Sequence, residues 1–370
     1  MKPRIVLSGV NFIEAGPLSI YGDALRELAE NFGDRYEIVA LVHRRDLFDI
    51  PGITYLEFPG IKTSWLRRIR FEYWDCRALS RRLQPHLWLS MHDMTPNVTA
   101  AVRAVYCHNP APFYRLRLRE ALTDWIFTLF TLLYRFLYAI NLRKSHYIVV
   151  QQQWLREEFA RRYHHPNIVV AHPSIQRLAL PARSDEPGAR HICRFFYPTY
   201  PRSFKNLEVV LEAARILERS RVSGFEIWLT VDGTENTYSA RMFSQYQDLG
   251  SIRWLGILPR DRVRELYGDA DCLLFPSKLE TWGMPISEFQ QTGKPMLVAD
   301  LPYAHETVGT YDSVQFFPPD NPPTLADDMA LFIRGELQFR RTIGAPLPPP
   351  FALNWNQLFQ ILLGERPQTP

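Results

Sequence analysis

Residues 272–299 contain two strand signals and one helix signal in close succession. The apolar run Cys272–Phe275 has the length of a buried parallel strand, and the run Met296–Ala299 predicts a second one. Between them, Pro285 suits the first turn of a helix and Gly293 suits its end. Two strands joined through a helix form a βαβ unit, in which the strands are parallel. This stretch therefore predicts an α/β fold.

Two glutamates lie where open α/β sheets bind ligands. Glu280 is in the loop beyond a strand's carboxyl end, and Glu288 is near the start of the following helix. Backbone N–H groups at a helix start favour an anion, and carboxylates accept hydrogen bonds from hydroxyls. These features together indicate a nucleotide sugar as ligand. Helix capping plus one surface glutamate would give the same spacing, so the pair alone is not decisive.

Several segments resemble the signature of the retaining glycosyltransferases of family 4. They are the Glu-x7-Glu pair with Gly-Met-Pro between its acids, the loop 195–207 with Lys205-Asn206, Trp254-Leu-Gly256, the segment 266–271 and Phe275-Pro-Ser277. The resemblance implies the GT-B fold, an α/β architecture of two Rossmann-like doubly wound domains facing a cleft. It also implies sugar transfer with retention and without a metal.

The resemblance implies roles for the charged residues. Glu288 corresponds to the acid that binds the ribose hydroxyls, and Glu280 to the acid that orients hydroxyls of the transferred sugar. Lys205 would neutralise the leaving diphosphate. Many relatives have an arginine five residues before this lysine, where this chain has Tyr200. Arg202 is then either the second phosphate contact or an ordinary surface arginine.

Two loops are candidates for donor contacts through the backbone. The glycine-containing loop after the first strand includes Gly16, and a helix is expected to begin near residues 19–21. The second loop supplies N–H groups to phosphate or sugar oxygens from Thr281, Trp282, Gly283 and Met284. Trp282 could instead be only a packed aromatic residue.

Histidines follow two strands of the first half. His108, in the segment 106–110, resembles the family's histidine that holds the transferred sugar, and it is the third catalytic candidate beside Glu280 and Lys205. His92 and Asp93, after the strand Leu87–Ser90, are rivals on the acceptor side. A structural histidine remains an alternative for both positions.

The length and composition fit a globular enzyme with two domains. The chain has 370 residues, of which 46% are hydrophobic and 22% charged. A polar linker at 181–188 separates an acceptor-binding domain, 1–180, from a nucleotide-sugar-binding domain, 190–340. Residues 345–370 are expected to cross back to the first domain.

The sequence lacks the motifs of other nucleotide-binding proteins, of nucleic-acid-binding proteins and of metal-dependent enzymes. No G-x-G-x-x-G sequence occurs. There is also no Walker A sequence, because Gly293-Lys294 is followed by proline rather than serine or threonine. The net charge of +4 is too small to indicate a nucleic-acid partner. The pair Asp269-Ala-Asp271 precedes its strand, at the wrong edge of the sheet for a metal site. We therefore expect no metal and no cofactor other than the UDP- or GDP-linked sugar co-substrate.

The first half also has features of a membrane-binding surface. Residues 125–142 carry one charge, Arg135, whose insertion would cost about 2.5–3.5 kcal/mol, so lying in the interface or packing as a core helix is favoured over crossing. The segment 62–82 is basic and aromatic. We expect a peripheral protein on the inner face of the cytoplasmic membrane, and the widely spaced cysteines fit the cytoplasm.

The sequence thus predicts a glycosyltransferase that moves a sugar to a glycan, lipid-linked, in cell-surface polysaccharide synthesis. One alternative is a glycoside hydrolase with Glu280 and Glu288 as its acid and nucleophile, which requires a separation of about 5–9.5 Å. Another is a non-catalytic GT-B subunit of a polysaccharide assembly complex.

Overall fold

The computed structural model describes residues 2–13, 15–114, 125–175, 177–178 and 192–365. The chain divides into two compact units. The first contains Met1–Ser174 and Leu347–Pro370, and the second contains Ile175–Pro346.

Strands and helices alternate along both units. The strands are β1 Arg4–Ser8, β2 Glu37–Val42, β3 Ile53–Glu57, β4 Leu87–Ser90, β5 Val102–Cys107, β6 Tyr147–Val150, β7 Ile168–Ala171, β8 Cys193–Tyr197, β9 Phe225–Leu229, β10 Ile252–Trp254, β11 Cys272–Phe275, β12 Met296–Ala299, β13 Val314–Phe317 and β14 Phe351–Ala352. The helices are α1 Ala15–Phe32, α2 Trp65–Arg70, α3 Cys76–Leu83, α4 Trp125–Ala139, α5 Gln153–Tyr163, α6 Leu207–Arg219, α7 Thr237–Tyr246, α8 Arg260–Asp269, α9 Met284–Gln290, α10 Pro302–Val308, α11 Pro322–Ile333 and α12 Trp355–Leu363. A π-helical turn, Phe71–Asp75, joins α2 to α3.

The first unit is built on an eight-stranded parallel sheet. Its strand order is β14-β7-β6-β5-β4-β1-β2-β3, so the order reverses between β1 and β4. Alternate residues of the strands face opposite sides. Ile5 and Leu7 pack in the core formed with α1 and α12, whereas Val6 packs with the π turn and α3. On that second side, α4 and α5 cover β5 to β7.

Residues after the second unit complete the first one. β14 pairs with β7 through Phe351 and Val170, and α12 packs against α1. The rings of Phe359 and Phe32 lie 5.8 Å apart, and Trp355 lies 5.6 Å from Tyr106. The hydrophobic face of α12 is therefore part of the first unit's core.

The second unit has a six-stranded parallel sheet. Its order, β10-β9-β8-β11-β12-β13, again reverses once, between β8 and β11. This is the Rossmann strand order, and ligands bind such sheets outside the carboxyl ends of the strands at the reversal. The apolar runs of β8 and β11 are almost entirely buried because helices cover both faces.

β4, β11 and β12 have their predicted bounds, and the start of α1 does not. α1 begins at Ala15 rather than near residues 19–21, so Gly16 is in the first turn of the helix and not in a loop. The segment 125–142 is helical over Trp125–Ala139. In the described part of the chain, no helix combines the length and the apolar character required to cross a bilayer.

Candidate functional site

Lys205 is held by the backbone that follows β8. A single 3₁₀ turn, Ser203–Lys205, precedes α6, and the hydroxyl of Tyr197 donates to the carbonyl of Lys205 at 2.7 Å. Tyr197 is fully buried, and this burial raises its pKa well above the usual value, so the phenol remains a donor. The backbone of Lys205 is thus held by a buried side chain of β8.

Asn206 joins this loop to two others. Its backbone is left-handed, with φ of 59°, a conformation that asparagine tolerates. The buried amide donates to the carbonyls of Pro276, at 3.2 Å, and Pro319, at 2.7 Å. The N–H of Lys278 donates to the carbonyl of Phe204 at 2.7 Å. The loops after β8, β11 and β13 are therefore tied together.

Lys205 and Glu280 form an ion pair at the reversal of strand order. Lys205 Nζ lies 2.5 Å from Glu280 Oε1, and the two side chains are 20% and 14% exposed. Lys205 follows β8 and Glu280 follows β11, the neighbouring strands between which the order reverses. The structure thus brings together two of the three predicted catalytic residues.

Glu288 is held separately, on α9. Its Oε2 accepts from the hydroxyl of Tyr267 at 3.0 Å, and its Oε1 accepts from Arg260 Nη2 at 3.1 Å. Burial raises the pKa of Tyr267 well above the usual value, and the nearby Glu288 carboxylate raises it further. Glu288 is therefore oriented by one buried donor and one half-exposed cation, which a ligand could displace.

The loop between β11 and α9 depends on Gly283. Its φ is +86°, and a Cβ atom there would lie 3.3 Å from both Ile286 Cδ1 and Phe275 Cε1. Trp282 is buried, and its indole N–H donates to Ser287 Oγ at 2.9 Å. The indole of Trp282 is thus a packed side chain. The predicted contact of Trp282 with a donor can therefore come only from its backbone N–H.

Thr281 and Met284 flank Trp282 and Gly283, and both are partly exposed. The predicted backbone contacts of these four residues with a donor stay a prediction. Gly16 lies in the first unit, in a part of α1 whose side chains the structure does not describe.

Arg202 lies on the same loop as Lys205 but is exposed. Its guanidinium carbon is 5.3 Å from the centre of the Tyr200 ring. Tyr200, which replaces the arginine of many relatives, thus makes a cation–π contact with Arg202.

In the first unit, Asp93 and His108 form one cluster rather than two rival sites. Oδ1 of Asp93 accepts from the N–H of His108 at 2.7 Å, from the N–H of Asn109 at 3.0 Å and from the hydroxyl of Tyr138 at 2.8 Å. Oδ2 lies 3.6 Å from His108 Nε2. The φ of Asp93 is +68°. The buried carboxylate therefore positions a histidine that is 21% exposed.

His92 is buried and structural in its contacts. Its Nε2 is hydrogen-bonded to Glu72, which is fully buried in the π turn, and its Nδ1 faces the carbonyl of Ser8 at 3.1 Å. Both ring nitrogens are thus used inside the protein. Of the two histidines, His108 is the one with an exposed surface.

Sequence reasoning missed the partners that orient these residues. Arg260, which holds Glu288 together with Tyr267, and Tyr138, which binds Asp93, come from distant segments without any motif. Asn206 and Tyr267 did carry a signal, because Asn206 follows Lys205 in the family's motif and Tyr267 lies in the family-like segment 266–271. Among the described residues, His, Cys, Asp and Glu side chains form no group that could hold a metal ion.

A family comparison bears on the second unit. Residues 195–345 match the model of the family described as Glycosyl transferases group 1. The second unit is a glycosyl transferases group 1 domain. Lys205, Glu280 and Glu288 all lie within it, and the chain is accordingly a glycosyltransferase.

Solved structures share the fold of this glycosyltransferase. Sucrose-phosphate synthase from Thermosynechococcus elongatus is 14% identical with a TM-score of 0.63, over 98% of this chain and 95% of that one. WaaG, a glycosyltransferase involved in lipopolysaccharide biosynthesis, is 14% identical with a TM-score of 0.60, over 89% and 90%. Anabaena HepE, in complex with UDP and glucose, is 12% identical with a TM-score of 0.60, over 98% and 95%. Curated protein sequences give no significant match. The chain has the GT-B fold.

The contacts of the two glutamates bear on the glycosidase alternative for this glycosyltransferase. Glu280 is paired with Lys205, and Glu288 with Arg260. A glycosidase needs one of its two carboxyl groups protonated, as the acid that protonates the leaving oxygen. Each of the two carboxylates is instead bonded to a cation of the protein, an arrangement that does not single out either one as that acid.

Proposed function

We propose that this glycosyltransferase transfers a sugar, with retention, from a UDP- or GDP-linked donor to a glycan acceptor that is lipid-linked. The pair formed by Lys205 and Glu280 carries the proposal. It places a cation and a carboxylate at the sheet reversal of the second unit, where a nucleotide-sugar diphosphate and sugar hydroxyls need them. Retention and membership in family 4 rest on the sequence resemblance.

Each residue has a stated task in this proposal. Lys205, with Arg202, stabilises negative charge on the departing diphosphate, and Glu280 orients the hydroxyls of the transferred sugar. Glu288 accepts from the ribose hydroxyls after exchanging its contact with Arg260. The backbone of residues 281–284 binds phosphate or sugar oxygens. The presence of UDP and glucose in the HepE structure supports a donor of this class.

The first unit is assigned the acceptor side. His108 is its proposed contact with the transferred sugar, and Asp93 is the residue that positions it. The role of His108 rests on its likeness to the family's histidine.

Donor binding is tested by thermal unfolding with UDP, GDP, ADP and dTDP sugars. We expect one of the UDP or GDP sugars to raise the unfolding temperature of the wild type. Lys205→Ala should lower turnover about 100-fold, the loss typical of one removed electrostatic stabiliser, as measured by nucleotide release with an acceptor glycan. Arg253→Ala, which removes an exposed pair with Glu226, is the matched control.

Two results would contradict the proposal. One is full activity of Lys205→Ala, and the other is release of free oligosaccharide without any need for a nucleotide sugar. Tight nucleotide binding without transfer to any acceptor would favour the non-catalytic subunit.

We also propose that the first unit binds an anionic membrane surface through α4 and α2. The exposed side chains of α4 recur at helical spacing, and they are Leu129, Leu132, Leu133 and Phe136. The opposite face, with Thr131, Tyr134 and Tyr138, is buried. An apolar helix with one face in the core and the other in solvent suits insertion into a lipid interface.

The one charge within α4 points to the protein. Arg135 Nε donates to the carbonyl of Pro112 at 2.7 Å, and its Nη2 donates to that of Tyr114 at 3.3 Å. α4 measures about 22 Å at 1.5 Å per residue, shorter than a bilayer's hydrocarbon core. These facts support lying in the interface, with an acceptor presented on a lipid carrier.

Helix α2 adds apolar and basic groups beside α4. Trp65 packs its ring 6.1 Å from that of Tyr134 and is itself half-exposed, and Leu66 is 78% exposed. The exposed cations Arg67 and Arg70 lie on the same short helix. Basic groups near anionic lipid add about 1 kcal/mol each.

Liposome flotation with and without phosphatidylglycerol tests this surface. The double substitution L133E/F136E should weaken binding at least tenfold, because burying two such side chains is worth about 3–6 kcal/mol. Ile257→Glu replaces an exposed apolar residue of the second unit and serves as control. If neither the wild type nor the control floats with anionic vesicles, the membrane proposal is wrong. The proposed location at the inner face of the cytoplasmic membrane is then wrong as well.

A further inference from the structure

An exposed row of arginines follows one face of the helical stretch formed by α2, the π turn and α3. Residues 65–83, which make up this stretch, include six arginines and two acids. Its exposed side chains recur at intervals of three or four residues, the spacing of neighbours on one helix face. We call this face the arginine stripe, and it consists of Arg67, Arg70, Trp74, Arg77 and Arg81. The stripe is about 20 Å long, at 1.5 Å per residue.

The stripe lacks the acids that would balance its charge. Glu72 is fully buried and bound to His92, so its carboxylate is not part of this surface. Asp75 is exposed and lies 3.8 Å from Arg70. Within the described residues, Arg77 and Arg81 take part in no ion pair. Because like charges three or four residues apart destabilise a helix, this arrangement costs the first unit some stability.

Other helices of the protein pair their arginines with acids. In each of these pairs the acid lies three residues from the arginine: Arg26–Asp23, Arg161–Glu158, Arg215–Glu212, Arg262–Glu265 and Arg264–Asp261. The arginine stripe departs from this pattern along its whole length. A surface that leaves its cations without acids of its own is suited to an anionic partner.

The stripe begins beside the proposed acceptor site and leads away from it. Arg68, next to the first arginine of the stripe, donates through Nη2 to the carbonyl of His92 at 3.0 Å, just beyond the carboxyl end of β4. Farther along, the hydroxyl of Ser80 accepts from the N–H of Thr99 at 3.0 Å, shortly before β5 begins. The helical stretch therefore runs beside the connection from β4 to β5. It leads from the carboxyl edge of the sheet, where His108 lies, to the amino edge.

The chemistry of the stripe favours an anionic glycan over a lipid surface. Guanidinium groups bind carboxylates and phosphates through two parallel hydrogen bonds. Trp74, in the middle of the stripe, is 65% exposed and offers a flat apolar face against which a sugar ring can pack. Among residues 75–83, all of which the structure describes, no large apolar side chain is exposed, so this half of the stripe has nothing to insert into lipid. The membrane surface proposed for α2 and α4 shares only Arg67 and Arg70 with the stripe.

We propose that the arginine stripe binds the chain of an acceptor glycan that carries carboxylate or phosphate groups. The end of the glycan that receives the sugar then lies near His108, and the other sugar residues follow the stripe toward the amino edge of the sheet. The acceptor role of this glycan rests on the proposed transferase function. Its negative charge is a further specificity, which sugar transfer itself does not require.

Fluorescence anisotropy with labelled oligogalacturonate and labelled ribitol phosphate oligomers tests the proposal at low salt, where charges are least screened. We expect the wild type to bind at least one of these probes and not a neutral malto-oligosaccharide of the same length. The charge reversal R77E/R81E should weaken this binding at least tenfold and reduce its dependence on salt. R219E/R221E makes the same change of charge at exposed positions of the second unit, at the end of α6, and should leave binding unchanged.

A second variant and a lipid assay keep the test decisive. Should R77E/R81E fold poorly, R77Q/R81Q removes two charges without adding any and should weaken binding in the same direction. Binding of neither probe by the wild type, or equal binding by the wild type and R77Q/R81Q, would overturn the proposal. Loss of flotation on phosphatidylglycerol vesicles with unchanged binding of the probes would also overturn it and assign the stripe to the lipid surface.

The binding assay needs neither a nucleotide nor sugar transfer. An inactive protein that still binds the probes through the stripe therefore contradicts the proposed function and leaves the binding surface standing. An active enzyme whose probe binding ignores both substitutions contradicts the binding surface alone.

Discussion

Asp93 combines an unusual backbone with a full set of donors. A non-glycine residue with φ of +68° is uncommon, and such residues persist where their surroundings hold them. Here the surroundings are the N–H groups of His108 and Asn109 and the hydroxyl of Tyr138. The arrangement orients a half-buried imidazole at the end of β5.

Asp93→Asn isolates the charge of this residue, because asparagine tolerates the left-handed region at least as well. We expect turnover to fall about tenfold, equivalent to 1.4 kcal/mol, through loss of the carboxylate facing His108. The nucleotide-induced rise in unfolding temperature should be unchanged. Initial rates and thermal unfolding measured side by side check both parts.

Asp75→Asn is the matched control, since Asp75 is an exposed acid of the same unit. Wild-type turnover of Asp93→Asn in a folded protein would show that the carboxylate does not act through His108.

The charged residues of the second unit were predictable as a group, and their partners were not. Lys205 and Glu280 each follow an apolar strand, and strands of a parallel sheet end at one edge, so a motif match suffices to bring them near each other. Asp93 and His108 also follow neighbouring strands, yet the sequence ranked them as rivals. Whether two such side chains cooperate depends on loop geometry, which no local pattern encodes.

Gly283 controls how β11 passes into α9. Gly283→Ala would place a Cβ in a left-handed residue and against Ile286 and Phe275. We expect a loss of about 1–3 kcal/mol of unfolding free energy and a weaker response to nucleotide sugar, since residues 281–284 must shift. Urea unfolding and the nucleotide thermal shift measure the two effects.

Gly293→Ala provides the control for backbone strain alone. Gly293 has φ of +70°, but no atom lies within 4 Å of the position that a Cβ would take there. This variant should lose some stability and keep its response to the donor. An identical loss of donor response in both variants would contradict the steric argument for Gly283.

Helix α11 contains a buried acid whose ionisation opposes folding. The pKa of Asp328 is raised from 3.8 to about 6, chiefly by burial, with a hydrogen bond from Gln315 opposing the rise and the charge of Asp327 adding to it. Between these two pH values the folded state keeps a proton that the unfolded state releases, so stability falls as pH rises from about 4 to 6. Asp328→Asn should therefore stabilise the protein at pH 7.5 by about 1–3 kcal/mol.

The gain should shrink toward zero as the pH is lowered to 4, as followed by urea unfolding across that range. Asp261→Asn, at an exposed acid of α8, should show no such pH dependence. A constant difference between wild type and Asp328→Asn at all pH values would contradict the linkage.

Elements with uniform apolar runs were predictable, and three of the four edge strands of the described chain were not. β11 and β12 matched their predicted bounds because both faces are buried. β3 and β13, which the sequence did not indicate, are edge strands with exposed or polar positions. β14 has two residues, too few for any periodicity, and exists only because β7 offers it an edge.

At the scale of the whole molecule, the last helix determines the stability of the first unit. Deleting residues 347–370 removes Trp355, Leu358, Phe359 and Leu362 from its core. At about 1.5–3 kcal/mol for each side chain, the loss of about 6–12 kcal/mol equals the stability of an ordinary domain. We expect the first unit to unfold while the second retains its donor-induced stabilisation.

Amide hydrogen exchange, measured along the chain, shows which unit unfolds after this deletion. Fast exchange in β1 to β7 with protection kept in β8 to β13 is the expected pattern. The single substitution Leu353→Ser, at an exposed position of the same segment, is the control. Protection of β1 to β7 in the deleted protein would contradict the assignment of α12 to that core.

Because β14 and α12 belong to the unit that begins the chain, synthesis and folding run in different orders. A ribosome releases β7 long before β14, and until then the strand has an unpaired edge and α1 has an uncovered apolar face. The second unit, although it is synthesised later, is complete before the first unit is. The nascent first unit must stay open until β14 and α12 have been made, the interval in which a chaperone would have most to shield.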